Sequence, residues 1–241
     1  MSDESLYIES IVENCDWVMY SGYSFLDKAI SGACKSKTFH GGPIYFDQKD
    51  KKWWTLDARP IRLDIASMEQ LLKPALKKKE NFIICRQNIL NPIDMTKFQE
   101  TNYPFLSNLR TIRPYYNIFD YPALIYYSLQ LDKYQAELSR LDKLLSTTKT
   151  NTASIVDEIV KITKLIESAK LRLKNNTYCT QILYNMWTNQ YKKNIIKERY
   201  GIEFCRPKEQ ELLLKDGVYK YVYGYYDGVP SDKLYQEIMN S

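Results

Sequence analysis

Hydrophobic residues in the first third of the chain occur in short runs that polar or glycine-containing turns separate. The runs at 17–22, 40–46, 53–58 and 82–86 are rich in Trp, Tyr, Phe, Ile and Val, which favour pleated structure. The polar stretch 47–52 lies between the second and third runs and predicts a hairpin turn. The pattern therefore predicts a sheet built early in the chain.

Four further segments complete the predicted elements of the sheet-forming part. A helix is expected from the Gly22 turn to about Ala33, and a second over 64–76, capped by Asp64 or Ser67. Another helix is expected after Thr177, and residues 219–226 read as a closing strand or loop. Strands mixed with helices indicate an α+β fold.

From residue 129 the period changes to that of a heptad. On the first arm the apolar positions are Leu131, Tyr134, Leu138, Leu141 and Leu145. On the second arm they are Ile155, Ile159, Ile162, Ile166, Ala169 and Leu173. The break between the arms is short, so residues 129–174 are predicted to form an antiparallel helical hairpin that projects from the rest. A docking stripe for a partner protein is the alternative to an intramolecular seam.

Composition narrows the class of protein. The chain has 241 residues, with 44% hydrophobic and 26% charged residues, which is typical of a globular protein. We expect no membrane span, because no run of 18 apolar residues occurs, and no secretion signal, because the N-terminus is acidic. The net charge of +5 is spread along the chain, so no specific nucleic-acid partner is expected.

Residue usage points to a compartment and to a type of genome. Five cysteines without a pairing or zinc-binding pattern predict reduced thiols in the cytoplasm. The 21 tyrosines and single histidine suggest AT-rich coding, as in a phage or virus, for which host cytoplasm or virion would be the location. No metal or organic cofactor is predicted.

The candidate chemistry starts from the single histidine, His40. Imidazole is the side chain whose unperturbed pKa lies near neutrality, so His40 is the candidate base for a thiol nucleophile. Cys179 precedes the apolar positions of the helix expected after Thr177, which places it in the first helical turn. There the helix dipole favours a thiolate, and free N–H groups could hold an oxyanion. The alternative is that Cys179 is a buried small hydrophobe and His40 a surface residue.

Asp57 is the candidate orienting acid, because it lies on the strand after the His40 strand. The remaining thiols fit less well. Cys85 lies in an apolar strand, Cys205 lies in an expected loop, and Cys15 and Cys34 have no capping context. We expect Cys179 and His40 to lie within hydrogen-bond reach of each other.

Several motifs together resemble the circularly permuted NlpC-type papain-fold enzymes, the YiiX-like group related to lecithin retinol acyltransferase. The N-terminal block has the opening Cys15-Asp16-Trp17, the segment Thr38-Phe39-His40, the strand with Asp57-Ala58 and a strand ending in Arg86. The late block has Tyr178-Cys179-Thr180 and a closing helix and strand from Pro207 to Val222. Gly41-Gly42-Pro43 and Thr180 depart from the family pattern, and the hairpin is not usual there.

The resemblance implies a permuted papain-like domain over 1–128 and 175–241, with 129–174 inserted. It also implies a cysteine hydrolase or acyltransferase acting on an amide, ester or thioester through an acyl-Cys179 intermediate. The substrate would be a small molecule, peptide or lipid, and the hairpin could bind a protein partner. The alternative is a catalytically retired fold that serves as a structural or interaction protein, and the Gly41-Gly42 departure favours it.

Overall fold

The computed structural model is a mixed α+β structure with a curled, seven-stranded antiparallel sheet. It describes residues 3–59, 62–77, 80–112, 120–148, 152–175, 180–188 and 194–241, with the backbone alone for 57–59, 62–66, 71, 109–112 and 120–121. The strands are β1 (Trp17–Gly22), β2 (His40–Asp47), β3 (Lys52–Arg59), β4 (Arg62–Ser67), β5 (Glu80–Gln87), β6 (Tyr219–Tyr226) and β7 (Val229–Pro230). Their order in the sheet is β4-β3-β2-β1-β5-β6-β7.

Ten helices surround this sheet in the described ranges. They are α1 (Asp3–Ile11), α2 (Phe25–Cys34), α3 (Met68–Leu76), α4 (Pro92–Ile112), α5 (Asp120–Thr147), α6 (Thr152–Asn175), α7 (Gln181–Thr188), α8 (Ile195–Tyr200), α9 (Pro207–Lys215) and α10 (Lys233–Met239). The α+β class is therefore confirmed.

The helix predicted over 64–76 is shorter than expected. Residues 64–66 belong to β4, where Asp64 and Ile65 pair with Asp57 and Leu56 of β3. The helix begins only after Ser67, whose side chain accepts the Gln70 N–H in a capping box. Of the two predicted caps, Ser67 is confirmed and Asp64 was wrong. Residues 64–66 cannot start the helix because their backbone groups pair with β3.

The curl of the sheet is centred on β2, which changes its neighbour along its length. Its first half pairs with β1, with His40 opposite Tyr20, and its second half pairs with β3, with Ile44 opposite Thr55. The 48–51 turn between β2 and β3 is held by Asp47, whose carboxylate accepts the Lys49 N–H at 2.7 Å. The hairpin turn predicted from the polar stretch is thus confirmed.

Each face of the sheet is covered by its own set of helices. Side chains alternate along β1, so that Trp17 and Met19 face one cluster while Val18 and Tyr20 face another. The first cluster contains Ile182 of α7 and its neighbours on α4, α9 and α10. The second contains residues of α1 and α3. The strands are hydrophobic on both sides because both faces are buried.

A buried ion pair joins Asp16, near the start of the N-terminal block of motifs, to Arg86, near its end. Arg86, at the end of β5, donates to both carboxylate oxygens of Asp16, at 2.9 and 2.8 Å, and Asp16 is fully buried. The same guanidinium also reaches Glu13 and the carbonyl of Ile11. A bidentate pair of this kind fixes the start of β1 beside the end of β5.

Helices α5 and α6 pack on each other through the predicted heptad residues. Leu131 and Leu141 of α5 are buried, as are Ile155 and Ile166 of α6. The first half of α5 shares a cluster with the second half of α6, so the two helices are antiparallel. The predicted hairpin is confirmed, but α5 begins at Asp120 and not near residue 129.

The hairpin does not simply project from the sheet. Leu124 and Leu131 of α5 and Leu173 of α6 share their cluster with Ile30 of α2 and with Phe204. The base of the hairpin is therefore part of the core, and only its distal half stands clear of this cluster. The division into domains at 129–174 stays a prediction, and so does a protein partner for the outward face, where Leu144, Val156 and Val160 are exposed.

The described part of the chain contains no membrane-crossing helix. No helix there combines the length and the apolar character that a span needs.

Candidate active site

His40 is the first residue of β2 and is buried, with 5% of its surface exposed. It lies opposite Tyr20, and the two rings stack with centroids 5.1 Å apart. The preceding residue, Phe39, donates its N–H to the Tyr20 carbonyl at 2.9 Å. The imidazole is therefore held at the start of a strand, which rules out the surface position that was the alternative reading.

The Gly41-Gly42 sequence that departs from the family pattern has a packing reason. A Cβ at Gly41 would lie 2.3 Å from Oε1 of Gln210 and 2.6 Å from Nε1 of Trp17. A Cβ at Gly42 would lie 2.0 Å from the carbonyl oxygen of Leu56. Neighbouring atoms occupy the space that side chains at positions 41 and 42 would need, which explains the two glycines. With these glycines, β2 continues after His40 as a buried strand.

The backbone of Asp57 lies on β3, as predicted, and its side chain lies outside the described residues. Gly42, two residues after His40, is packed against Leu56, the residue before Asp57. The β2–β3 ladder runs from the Ile44–Thr55 pair to the Asp47–Lys52 pair, so the contact of Asp57 with His40 stays a prediction.

Cys179 lies outside the described residues, so its predicted contact with His40 stays a prediction. The next residue, Thr180, is buried, and its hydroxyl donates to the carbonyl of Cys205. The helix begins at Gln181, because the Thr180 carbonyl accepts the Leu183 N–H at 3.1 Å. The predicted helix start after Thr177 and the place of Cys179 in its first turn lie outside the described residues and stay predictions.

The faces of the sheet impose a condition on any contact between Cys179 and His40. The apolar side of α7 packs on the face of Trp17, whereas His40 shares the face of Tyr20. Residues 176–179 lie outside the described residues, so the contact of the Cys179 sulfur with the imidazole stays a prediction. Leu173, in the last turn of α6, lies in a cluster that Phe39 also contacts, which places the end of α6 near the start of β2.

The other four cysteines are buried in the core. Their exposed fractions are 2% for Cys15, 1% for Cys34 and 0% for both Cys85 and Cys205. Burial raises the pKa of the Cys15 and Cys85 thiols, and the nearby Asp16 charge raises it further. A thiol that is desolvated in this way is a poor nucleophile. Cys85 lies in an apolar strand, as predicted, and is fully buried.

A buried ionic cluster joins α5 to α9 beside the candidate site. Arg206, before α9, pairs with Glu209 at 2.6 Å and lies 3.8 Å from Asp132 of α5. Burial acts to lower the pKa of Arg206, but the charge and hydrogen bonds of Glu209, together with the nearby charge of Asp132, keep that pKa above its ordinary value. The guanidinium thus stays charged and holds α9 against the hairpin.

Within the described residues, no three His, Cys, Asp or Glu side chains are grouped so that they could hold a metal ion. The described contacts of His40 include the rings of Tyr20 and Phe39 and the side-chain amide of Gln210.

Sequence reasoning missed the contribution of α9 to this site. Its Gln210 and Glu211 contact the segment that leads to His40, more than 170 chain positions away. No local signal marks these contacts, since both residues are ordinary members of a polar helix sequence.

Comparison with known proteins adds no relative to this geometry. No family model, curated protein or solved structure matches the chain.

Proposed function

We propose that this chain is a cysteine hydrolase or acyltransferase with a permuted papain-like fold, acting on an amide, ester or thioester. The observation that carries the proposal is the placement of the only imidazole. His40 is buried and fixed at a strand start, while the four other thiols are sequestered, which leaves Cys179 as the candidate nucleophile. The resemblance of the N-terminal and late blocks to the NlpC-type family supports the same pairing.

The proposed reaction has two halves. His40 takes the proton of the Cys179 thiol, and the thiolate adds to the substrate carbonyl to form a tetrahedral intermediate. The intermediate expels the amine, alcohol or thiol, which receives the proton from His40, and an acyl-Cys179 thioester remains. Water or an acceptor nucleophile, deprotonated by His40, then attacks the thioester and releases Cys179. Asp57 would hold the imidazole in the required tautomer.

The non-catalytic alternative loses its main support. It rested on Gly41-Gly42 as the sign of a degraded site, and both glycines are explained by close packing against Gln210 and Leu56. A thiol mechanism also fits a reducing compartment, such as the host cytoplasm of a virus or phage.

Incubation with p-nitrophenyl acetate tests the proposal directly. We expect intact-mass spectrometry of the quenched protein to show one acetyl group, mapped by peptide analysis to Cys179. The Cys179→Ala variant should remain unmodified, and Cys34→Ala should be acetylated like the parent. Acetylation that persists in Cys179→Ala, or none in the parent under conditions that acetylate a small-molecule thiol, would contradict an acyl-Cys179 intermediate.

The Asp57→Asn variant tests the third member of the site. It should fold like the parent but lose alkylation of Cys179 at pH 6 by about tenfold or more, because the imidazolium loses its carboxylate partner. The measurement is the rate of iodoacetamide labelling between pH 5 and 9. Asp142→Asn on the exposed surface of α5 is the matched control and should change nothing. Equal rates for Asp57→Asn and the parent would remove Asp57 from the site.

A further inference from the structure

The segment before His40 is held by hydrogen bonds to a buried carboxylate of α9. Oε1 of Glu211 accepts the N–H groups of Lys37 at 2.7 Å and Thr38 at 2.6 Å, and the Thr38 hydroxyl at 2.8 Å. Burial raises the pKa of the Glu211 carboxyl, and these hydrogen bonds oppose that rise. Three donors on one oxygen fix the approach of the chain to β2.

The neighbouring residue, Gln210, reaches His40 itself. Its Nε2 donates to the His40 carbonyl at 3.2 Å and to the Thr38 hydroxyl at 2.9 Å. Its Oε1 accepts the indole N–H of Trp17 at 2.9 Å. Gln210 is fully buried, so one amide joins the start of β2 to β1 with all of these bonds shielded from water.

The chain is shaped to admit this amide. Oε1 of Gln210 occupies the space that a Cβ at position 41 would need, and Gly41 directly follows His40. The amide side chain and the glycine therefore form a matched pair. An ordinary residue at position 41 would displace either Gln210 or the strand.

We propose that Gln210 is a positioning residue for the imidazole of His40. The inference rests on the proposed function for its catalytic meaning. Gln210 bonds to the backbone of His40 and so acts through it, without a contact to the reacting atoms. It holds the carbonyl of His40, while Tyr20 stacks on the ring and pairs with the backbone from the other side.

The physical reason lies in the position of His40 at a strand terminus. A first strand residue has fewer ladder bonds than a central one, so its backbone depends on contacts from outside the sheet. A displacement of a catalytic group by about 1 Å can lower a rate by about a hundredfold. The bond from Gln210 is one contact that opposes such a displacement.

The single histidine makes the test selective. Protein labelled with ¹³C,¹⁵N-histidine gives one imidazole spin system, which reports the tautomer and pKa of His40 alone. In Gln210→Met we expect this system to shift or split, its titration midpoint to move, and alkylation of Cys179 at pH 6 to fall about 10- to 100-fold. Gln99→Met is the matched control, because Gln99 also donates to a backbone carbonyl, that of Asn14 at 2.9 Å.

The outcomes distinguish a positioning role of Gln210 from a purely structural role and from a failure of the proposed function. If Gln210→Met does not fold, Gln210→Asn keeps an amide but is too short to span Trp17 and His40, and the same shifts are expected. A purely structural Gln210 would lower the urea midpoint yet leave the His40 spectrum and the pH profile of labelling unchanged, and that result would overturn the proposal. If the parent itself shows no labelling at pH 6, the proposed function fails, while the imidazole spectra still decide whether Gln210 fixes His40.

Discussion

Iodoacetamide at pH 6 should modify one thiol of the folded protein, and that thiol should be Cys179. An ordinary thiol with a pKa of about 8.5 is about one part in 300 thiolate at this pH, whereas a thiol paired with an imidazolium is largely ionised. Low-pKa thiolates are weaker nucleophiles, so the expected advantage over a free thiol is about tenfold or more rather than the full ratio. The measurement is the second-order rate from intact mass, with the site mapped by peptide analysis.

The His40→Phe variant shows whether the imidazole is the cause. Phenylalanine keeps an aromatic ring beside Tyr20 but cannot carry a proton, so labelling at pH 6 should fall by about tenfold or more and approach the parent rate near pH 9. Cys34→Ser is the control, because Cys34 is buried against Ser128 and its loss should leave the rate unchanged. An unchanged pH 6 rate in His40→Phe, or modification of a thiol other than Cys179, would defeat the catalytic pairing.

Deletion of the whole hairpin, residues 129–174 with a short Gly-Ser bridge, should prevent cooperative folding. It removes Leu131, Ile166 and Leu173, which cover Ile30 and Phe204 in one cluster. Truncation of a buried Leu or Ile to Ala costs about 2–5 kcal/mol, and a domain is stable by only about 5–15 kcal/mol. The deletion also takes Asp132 from the buried Arg206.

A shorter deletion is the matched comparison. Removal of 142–158 takes away only the distal part of the hairpin and keeps the base that packs on α2. We expect this variant to fold and to show a cooperative urea transition, followed by fluorescence of the buried Trp17 and Trp187. It should also label at Cys179 like the parent. If the 129–174 deletion folds and labels equally well, the inserted-domain division is right and the base of the hairpin is dispensable.

Several strands and the helical hairpin could be predicted from the sequence, because the pattern that specifies them lies within each segment. The strands near 17–22, 40–46 and 82–86 were predictable because runs of aromatic and aliphatic residues end at turn residues. The hairpin was predictable because the 3-4 spacing continues on both sides of a short break. Both signals arise from neighbours in the chain, and tertiary contacts reinforce them.

Elsewhere long-range contacts decided the outcome. Residues 64–66 can form a helical turn or a strand, and the pairing partner on β3 chose the strand. The base of the hairpin became core because α2 and Phe204 offered it an apolar surface, which no heptad pattern reports.

For the candidate site, residue composition specifies the available chemistry, namely one imidazole, five thiols and 29 side-chain carboxylates. The packing of distant segments sets which of the described thiols are sequestered and how His40 is held, with Gln210 bonded to it across 170 positions of the chain. The reason is physical: residue type sets what a group can do with a proton. Burial and hydrogen bonds, which arise when distant segments meet, set where that group lies and whether it can react.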